Sequence, residues 1–210
     1  APYLWHSKIR HIDYLVLSHP QADHMNGLRF IARSFHPKEF WYNGDTVEKT
    51  AFKELMAIIE SKNIKKFLPV DLASGREING VKVDLLHPPP HTHSKEHFDR
   101  GTRLNNNSLV LKISYRGVSF LFPGDLEYQG EKALVSNAGP ALKSDILLSP
   151  HHGSKNSSSE EFLRTVQPRV CVISSGEGNF FNFPHRQTLK RLRDIECKVI
   201  RIDQRGAVQC

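Results

Sequence analysis

Short apolar runs of strand length recur along this sequence, and residues able to bind metal follow four of them. "IDYLVLS" (12–18) runs into "HPQADHMNG" (19–27), and "SFLFPGD" ends at Asp125. "DILLS" (145–149) runs into Pro150-His151-His152-Gly153, and "RVCVISS" leads through "GEGNFFNFP" to His185. Strand ends on one rim of a sheet are where a rigid scaffold presents reactive loops. Segments with helical spacing separate the runs: 25–35, the clearly amphipathic 46–63, and shorter stretches near 128–136, 159–166 and 186–195. The middle of the chain is hairpins. One is predicted at Asn79-Gly80 and one near Arg116-Gly117. Helices alternating with strands at both ends, with hairpins between, predict an α/β (α+β) fold: an αββα sandwich of two mixed β-sheets with helices outside. The stretch 87–106, rich in Pro, His and charge, reads as a long mobile loop. It gives no domain boundary, so 1–210 reads as a single domain.

Composition excludes several alternatives. The chain of 210 residues can bury a real core, and 39% hydrophobic with 24% charged residues is ordinary for a globular domain. No apolar run approaches the ~20 residues that cross a bilayer. Three widely spaced cysteines, Cys171, Cys197 and Cys210, define neither a disulfide framework nor a thiolate zinc site. A net charge of +7 favours a polyanionic partner such as nucleic acid. The opening "APYLWHSKIRH" lacks the apolar segment and cleavage site of a signal peptide, and there is no initial Met. The expectation is a fragment or processed piece of a larger protein.

The cluster at 19–24 is the most specific of these signals. Two histidines and an aspartate in six positions beside a core strand cost several kcal/mol to bury uncompensated, and a cation is the natural compensation. Phosphate binding is a second expectation. Ser157 or Ser158 with Glu160 or Glu161 predicts a capping box. Ser154 and Lys155 would then lie at a helix N-terminus, which attracts anions. Asn107 is a further candidate phosphate ligand. His185 is a candidate general acid, and Phe180 or Phe181 could stack on a base.

"SHPQADHMNGL" resembles the H-x-H-x-D-H signature of the metallo-β-lactamase superfamily, with Gln21 at the middle-histidine position. "LFPGD" is similar to the superfamily's bridging aspartate. "LLSPHHGSKNSSSEEFL", "NNNSLVLKISYRGVSFLFPGDLE" and "VISSGEGNFFNFPHRQTL" resemble the C-terminal domain of the ComEC competence proteins. The superfamily's opening strands, with their Asp-Gly turn, find no counterpart, so most of a domain rather than all of one is expected.

The resemblance implies that His19 and Gln21 serve a first metal and Asp23 and His24 a second. It implies that Asp125 bridges them and that His151 completes the second site, with His152 its rival. "TRLNNNS" stands where the superfamily's third histidine would be, so the first site would hold its ion weakly. Oxygen-rich ligands shift preference from Zn²⁺ toward Mn²⁺ or Mg²⁺. Two divalent ions and no organic cofactor are expected. Asp23, His152, His185 and Lys155 are the candidate catalytic residues. The implied activity is a metal-dependent nuclease acting on DNA during uptake, outside the cytoplasm, as part of a polytopic membrane channel. A phosphorylcholine-esterase-like phosphodiesterase and a catalytically silent DNA-binding module remain alternatives.

Overall fold

The structure is a computed structural model that describes residues 2–90 and 100–208. Among the described residues, ten strands form two sheets. The smaller contains β1 (Tyr14–Leu17), β2 (Glu39–Tyr42) and β3 (Lys65–Phe67) in that order. The larger runs in the order β10-β9-β8-β7-β6-β5-β4. Its strands are β4 (Arg76–Ile78), β5 (Val81–His87), β6 (Val110–Tyr115), β7 (Val118–Phe122), β8 (Ile146–Leu148), β9 (Val170–Ile173) and β10 (Lys198–Arg201). β4 to β7 pair antiparallel, and β7 to β10 pair parallel. The larger sheet is mixed, as expected. The smaller is parallel throughout its three strands, because a helix returns the chain between each pair.

The helices are α1 (Pro2–His6), α2 (Ala22–Phe35), α3 (Thr50–Ser61), α4 (Pro69–Leu72), α5 (Arg100–Asn106), α6 (Tyr128–Ala138), α7 (Glu160–Val166) and α8 (Arg186–Asp194), with a short C-terminal turn of helix after β10. Three apolar clusters define the layers. Met25, Ala32, Phe52, Leu55 and Ile59 pack α2 and α3 onto Leu15, Leu17 and Phe40 of the small sheet. Trp41 and Phe67 of the small sheet meet Val83 and Leu111 of the large one. Leu134, Phe162 and Leu192 pack α6, α7 and α8 onto Leu121, Leu147 and Cys171. The result is the αββα sandwich. Cys171 and Cys197 are buried free thiols, and burial pushes the Cys197 thiol up to about 11.

Two expectations for local structure need correction. Within 87–106, residues 91–99 lie outside the described residues, but the end of the stretch is the helix α5. Asn106 at its C-terminus is buried and accepts from the Glu127 and Gly130 amides at the start of α6, so the polar run is used as a helix-to-helix clamp. The cap of α7 is Ser159, whose hydroxyl accepts from the Phe162 amide at 3.3 Å. Neither Ser157 nor Ser158 caps the helix. The amides of Ser158 and Ser159 donate instead to the buried carboxylate of Glu131 on α6.

Candidate metal centre

Strand ends assemble the centre at the rim between the two sheets. β1 ends at Leu17 and delivers Ser18 and His19. The first turn of α2 follows at once and carries Asp23 and His24. β7 ends at Phe122, and Gly124 turns the chain so that Asp125 faces this rim. β8 leads to His151 and His152, and β9 ends beside Ser174. The Leu109 amide donates to the Ser18 carbonyl at 2.8 Å, joining the sheets where the candidate residues meet.

One ligand atom each from Asp23, His24, Asp125 and His152 lie within 4.8 Å of one another. His24 Nε2 is 3.1 Å from Asp125 Oδ1 and 3.7 Å from Asp23 Oδ2. His152 Nε2 is 3.3 Å from Asp23 Oδ2 and 3.6 Å from Asp125 Oδ2. The same Oδ2 also stands 4.0 Å from His19 Nε2 and 3.9 Å from His151 Nε2. His19 and Asp125 are buried. His19 Nε2, His24 Nε2 and Asp125 Oδ2 are buried yet accept or donate no hydrogen bond. Buried polar atoms in protein interiors nearly always have partners. Here several converge on one point, with two carboxylates and imidazoles as donors, so the residues fit a divalent cation.

The electrostatics agree. Burial, then the neighbouring His24, lowers the His19 pKa to about 4, so its ring is neutral and available as a ligand at neutral pH. The His152 hydrogen bond holds Asp23 well below the usual carboxylate range despite burial. Burial pushes Asp125 up, but the close approach of the His24 imidazole, with the charges of His152 and His19, outweighs it and holds the carboxyl below its ordinary range. His152 differs: the Asp23 hydrogen bond raises it to about 9, so at neutral pH its Nε2 carries a proton that a bound cation would have to displace.

Orientation comes from a surrounding layer of hydrogen bonds. His152 Nδ1 donates to the Ser174 carbonyl at 2.7 Å, which leaves Nε2 to face the carboxylates. His24 Nδ1 lies 3.2 Å from the Ser18 hydroxyl. His19 Nδ1 lies 3.1 Å and 3.3 Å from the Ser18 and Ser108 hydroxyls, and Ser108 Oγ accepts from the Asp125 amide. Gly124 has φ +60°, and a Cβ there would fall 2.6 Å from Ser108 Cβ and 3.1 Å from Ser18 Cβ. Gly124→Ala is therefore expected to push apart the two serines that orient His19, His24 and Asp125. We expect at least about a tenfold loss of Mn²⁺ affinity by calorimetry, with the far-ultraviolet circular dichroism unchanged.

The structure rearranges several expected roles. His152, not His151, joins the tight group. Both residues have left-handed backbone conformations in the turn after β8, which sends adjacent rings in different directions. His151 lies next to Asp125 and Glu127, with Nδ1 3.3 Å from Glu127 Oε1. Gln21 does not reach toward the cluster as a free amide. Its Nε2 donates to Asn105 Oδ1, and Asn105 donates on to Glu127.

The phosphate candidates are dispersed. Ser154 is buried, and its hydroxyl accepts from the Asn156 amide. The Asn107 amide donates to Asp45. The amides ahead of α7 are held by Glu131, so no open anion cradle forms there. Lys155 is exposed, and its carbonyl accepts from Tyr128 and Arg191. His185 is the N-cap of α8, its Nδ1 accepting from the Gln187 amide.

Sequence reasoning passed over Glu127 and Asn105. Glu127 stands two residues after Asp125 in "PGDLE", and that spacing beside a candidate ligand was the available signal. A cavity of about 510 Å³ opens beside the cluster, walled by Val16, Leu111, Ile113, Phe122 and Leu148.

Comparison with known proteins agrees with this arrangement. The Beta-lactamase superfamily domain matches residues 2–153. The chain is 30% identical over 209 residues to ComE operon protein 3 of Bacillus subtilis (strain 168), covering 99% of this chain and 26% of that protein. It is also 30% identical over 209 residues to competence protein ComA of Neisseria gonorrhoeae, covering 100% of this chain and 26% of that protein. The chain thus spans about a quarter of the length of the curated relatives it matches. Among solved structures, CmlA, a diiron β-hydroxylase from Streptomyces venezuelae, superposes with TM-score 0.55 at 13% identity, over 91% of this chain and 44% of that one, which shows a shared fold. With the fold, the rim position of its ligand cluster and the matched domain in agreement, the chain belongs to the metallo-β-lactamase superfamily and is homologous to competence proteins.

Proposed function

We propose that the chain is a metal-dependent phosphodiester hydrolase that cleaves DNA, working as the nuclease domain of a larger competence protein. The observation that carries this reading is the convergence of Asp23, His24, Asp125 and His152 within 4.8 Å, with buried, unpartnered nitrogen and oxygen atoms at its centre. These four residues would hold the principal divalent ion. His19 and His151, each about 4 Å from Asp125 Oδ2, would hold a second more weakly, with Asp125 shared. Such ions activate water and neutralise charge that builds on a phosphoryl group, the main obstacle in phosphodiester hydrolysis. Two carboxylates among imidazoles favour Mn²⁺ or Zn²⁺, with Mg²⁺ a further candidate.

The chain's own residues supply the rest. Asp125 stays ionised while buried, so it presents a full charge in a site that water screens little. The Ser174 carbonyl fixes the His152 tautomer. Ser18 and Ser108 hold two imidazoles and the Asp125 backbone in register. DNA as substrate is supported by the net charge of +7 and by the competence relatives. A place outside the cytoplasm, beside a membrane channel formed by the rest of a longer protein, is part of this reading and rests on the sequence resemblance to the ComEC competence proteins. No helix among the described residues is long and apolar enough to cross a membrane.

The test is incubation with single- and double-stranded DNA, and separately with a chromogenic methyl phosphodiester, in Mn²⁺ and in EDTA. DNA cleavage in Mn²⁺ and none in EDTA is expected. Turnover of the small ester alone would make the protein a small-molecule phosphodiesterase. DNA binding with no cleavage in any metal would make it a silent module.

A further inference from the structure

The segment between β9 and α8 carries a feature that neither the core nor the ligand cluster explains. Phe180 is 93% exposed and Phe181 69% exposed. Single apolar residues on a surface are ordinary, but two adjacent rings held in water are not. These rings are ordered against one another. Phe180 meets Phe181 edge-on at 5.8 Å, and Phe181 stacks on Phe183 at 5.5 Å. Phe183 in turn meets His151 edge-on at 5.7 Å. A ladder of rings therefore descends from solvent to the histidine beside Asp125. Asn179 fixes the loop by donating to the Gly176 and Phe183 carbonyls and accepting from the Phe183 amide.

The helix that follows is bolted to the same place. The His185 amide donates to the Gly153 carbonyl, and the Thr188 hydroxyl to the Ser154 carbonyl. Arg191 donates to the Lys155, Ser157 and Ser158 carbonyls. The opposite face of α8 is basic. Arg186, Lys190 and Arg193, at i, i+4 and i+7, line a groove of about 670 Å³ with Gln187, Arg201 and Gln204. Lys190 is paired with Asp194, and Arg201 with Asp203. Arg186 and Arg193 are exposed and in no ion pair among the described residues. Seven residues of helix span about 10 Å, so the two guanidiniums can meet separate phosphates of one strand.

We infer that the Phe180–Phe181 rings and the Arg186–Arg193 face of α8 form one track for single-stranded nucleic acid leading to the metal centre. This rests on the phosphodiester reading of that centre and specifies its substrate as an unpaired strand. The exposed ring faces can stack only on a base free of its complement. The two unpaired guanidiniums supply the backbone contacts.

The test is fluorescence anisotropy in EDTA, where cleavage is stopped, with a labelled oligonucleotide of about 16 nucleotides and its duplex. The variant carrying Phe180→Ala and Phe181→Ala is expected to bind the single strand about tenfold or more weakly and the duplex within about twofold of wild type. The variant carrying Arg186→Ala and Arg193→Ala is expected to lose affinity for both. Its salt dependence on the single strand should fall by about 1.4 in slope, from two lost phosphate contacts. Turnover of the methyl phosphodiester in Mn²⁺ should be unchanged in both variants, since neither touches the ligand cluster. Single-strand affinity unchanged in either variant would overturn the inference, as would equal loss for duplex in the phenylalanine variant or no oligonucleotide binding by wild type. Failure of the hydrolase reading shows separately, as no metal-dependent turnover of any phosphodiester by the wild-type protein.

Discussion

Asp125→Ala is expected to abolish metal-dependent phosphodiester cleavage and to lower Mn²⁺ affinity by more than about 100-fold. The removal of a mere orienting neighbour costs 10–100-fold in comparable sites, and Asp125 is at the centre of this one. Its two oxygens lie between 3.1 and 4.0 Å from His24, His152, His151 and His19. Every ion the cluster can hold has this carboxylate as a neighbour. Asp125→Asn, which keeps the shape and drops the charge, should lose nearly as much. Because Asp125 stands at the rim and outside all three apolar clusters, the fold should survive both changes. Calorimetric titration with Mn²⁺, circular dichroism and DNA cleavage measured on the same preparations check this. Cleavage within about tenfold of wild type would show that the chemistry lies elsewhere.

Glu131→Ala should be the most damaging single change to stability outside the apolar core. Its carboxylate is fully buried and accepts from the amides of Ser158 and Ser159, holding the loop that follows the two histidines against α6. Truncation leaves the buried Ser158 amide and the half-buried Ser159 amide without acceptors, at about 1–3 kcal/mol each. The expected loss is about 2–5 kcal/mol, or roughly 5–15 °C in Tm for a chain of this size.

The same residue carries a pH signature. Burial outweighs the Ser159 and Ser158 hydrogen bonds and the charge of Arg191, and raises the carboxyl to about 7 from 4.5. Below pH 4.5 the folded and unfolded chains both hold the proton, and the stabilisation from this shift is fully present. As pH rises toward 7 the unfolded chain releases the proton first, and that contribution falls by about 3 kcal/mol before levelling off. Urea unfolding of metal-free wild type and Glu131→Gln between pH 4.5 and 8 checks the sign. The difference between the two proteins should shift in favour of Glu131→Gln as pH rises, and a difference that stays constant would remove the carboxyl from this role.

Local patterns made the architecture legible. Alternating strands and helices at the chain ends, and the Asn79-Gly80 turn between β4 and β5, survive nearly residue for residue. Three of the four strand ends singled out bring their residues together, since His19, Asp23, His24, Asp125 and His152 lie close to one another, whereas His185 at the fourth caps α8. The choice between His151 and His152 was not legible. Neighbouring histidines are distinguished only by the left-handed turn that aims them, and that turn is a tertiary outcome fixed by Ser174, Gly124 and Pro184. The asparagine run 105–107 misled for a related reason. Polar residues with no periodicity read as a loop, yet Asn105 and Asn106 are buried because Glu127 and α6 supply their partners. Glu131 was hidden in an amphipathic helix, where a glutamate ordinarily faces solvent.

The central claim is that these rim residues gather around divalent cations, and diffraction from Mn²⁺-soaked crystals at the manganese absorption edge tests it most directly. The account predicts a strong anomalous peak within metal-ligand distance, about 2.0–2.3 Å, of Asp23, His24, Asp125 and His152, with a weaker one on the His19 and His151 side of Asp125. A peak ligated by other residues, or no peak here at saturating Mn²⁺, would contradict it.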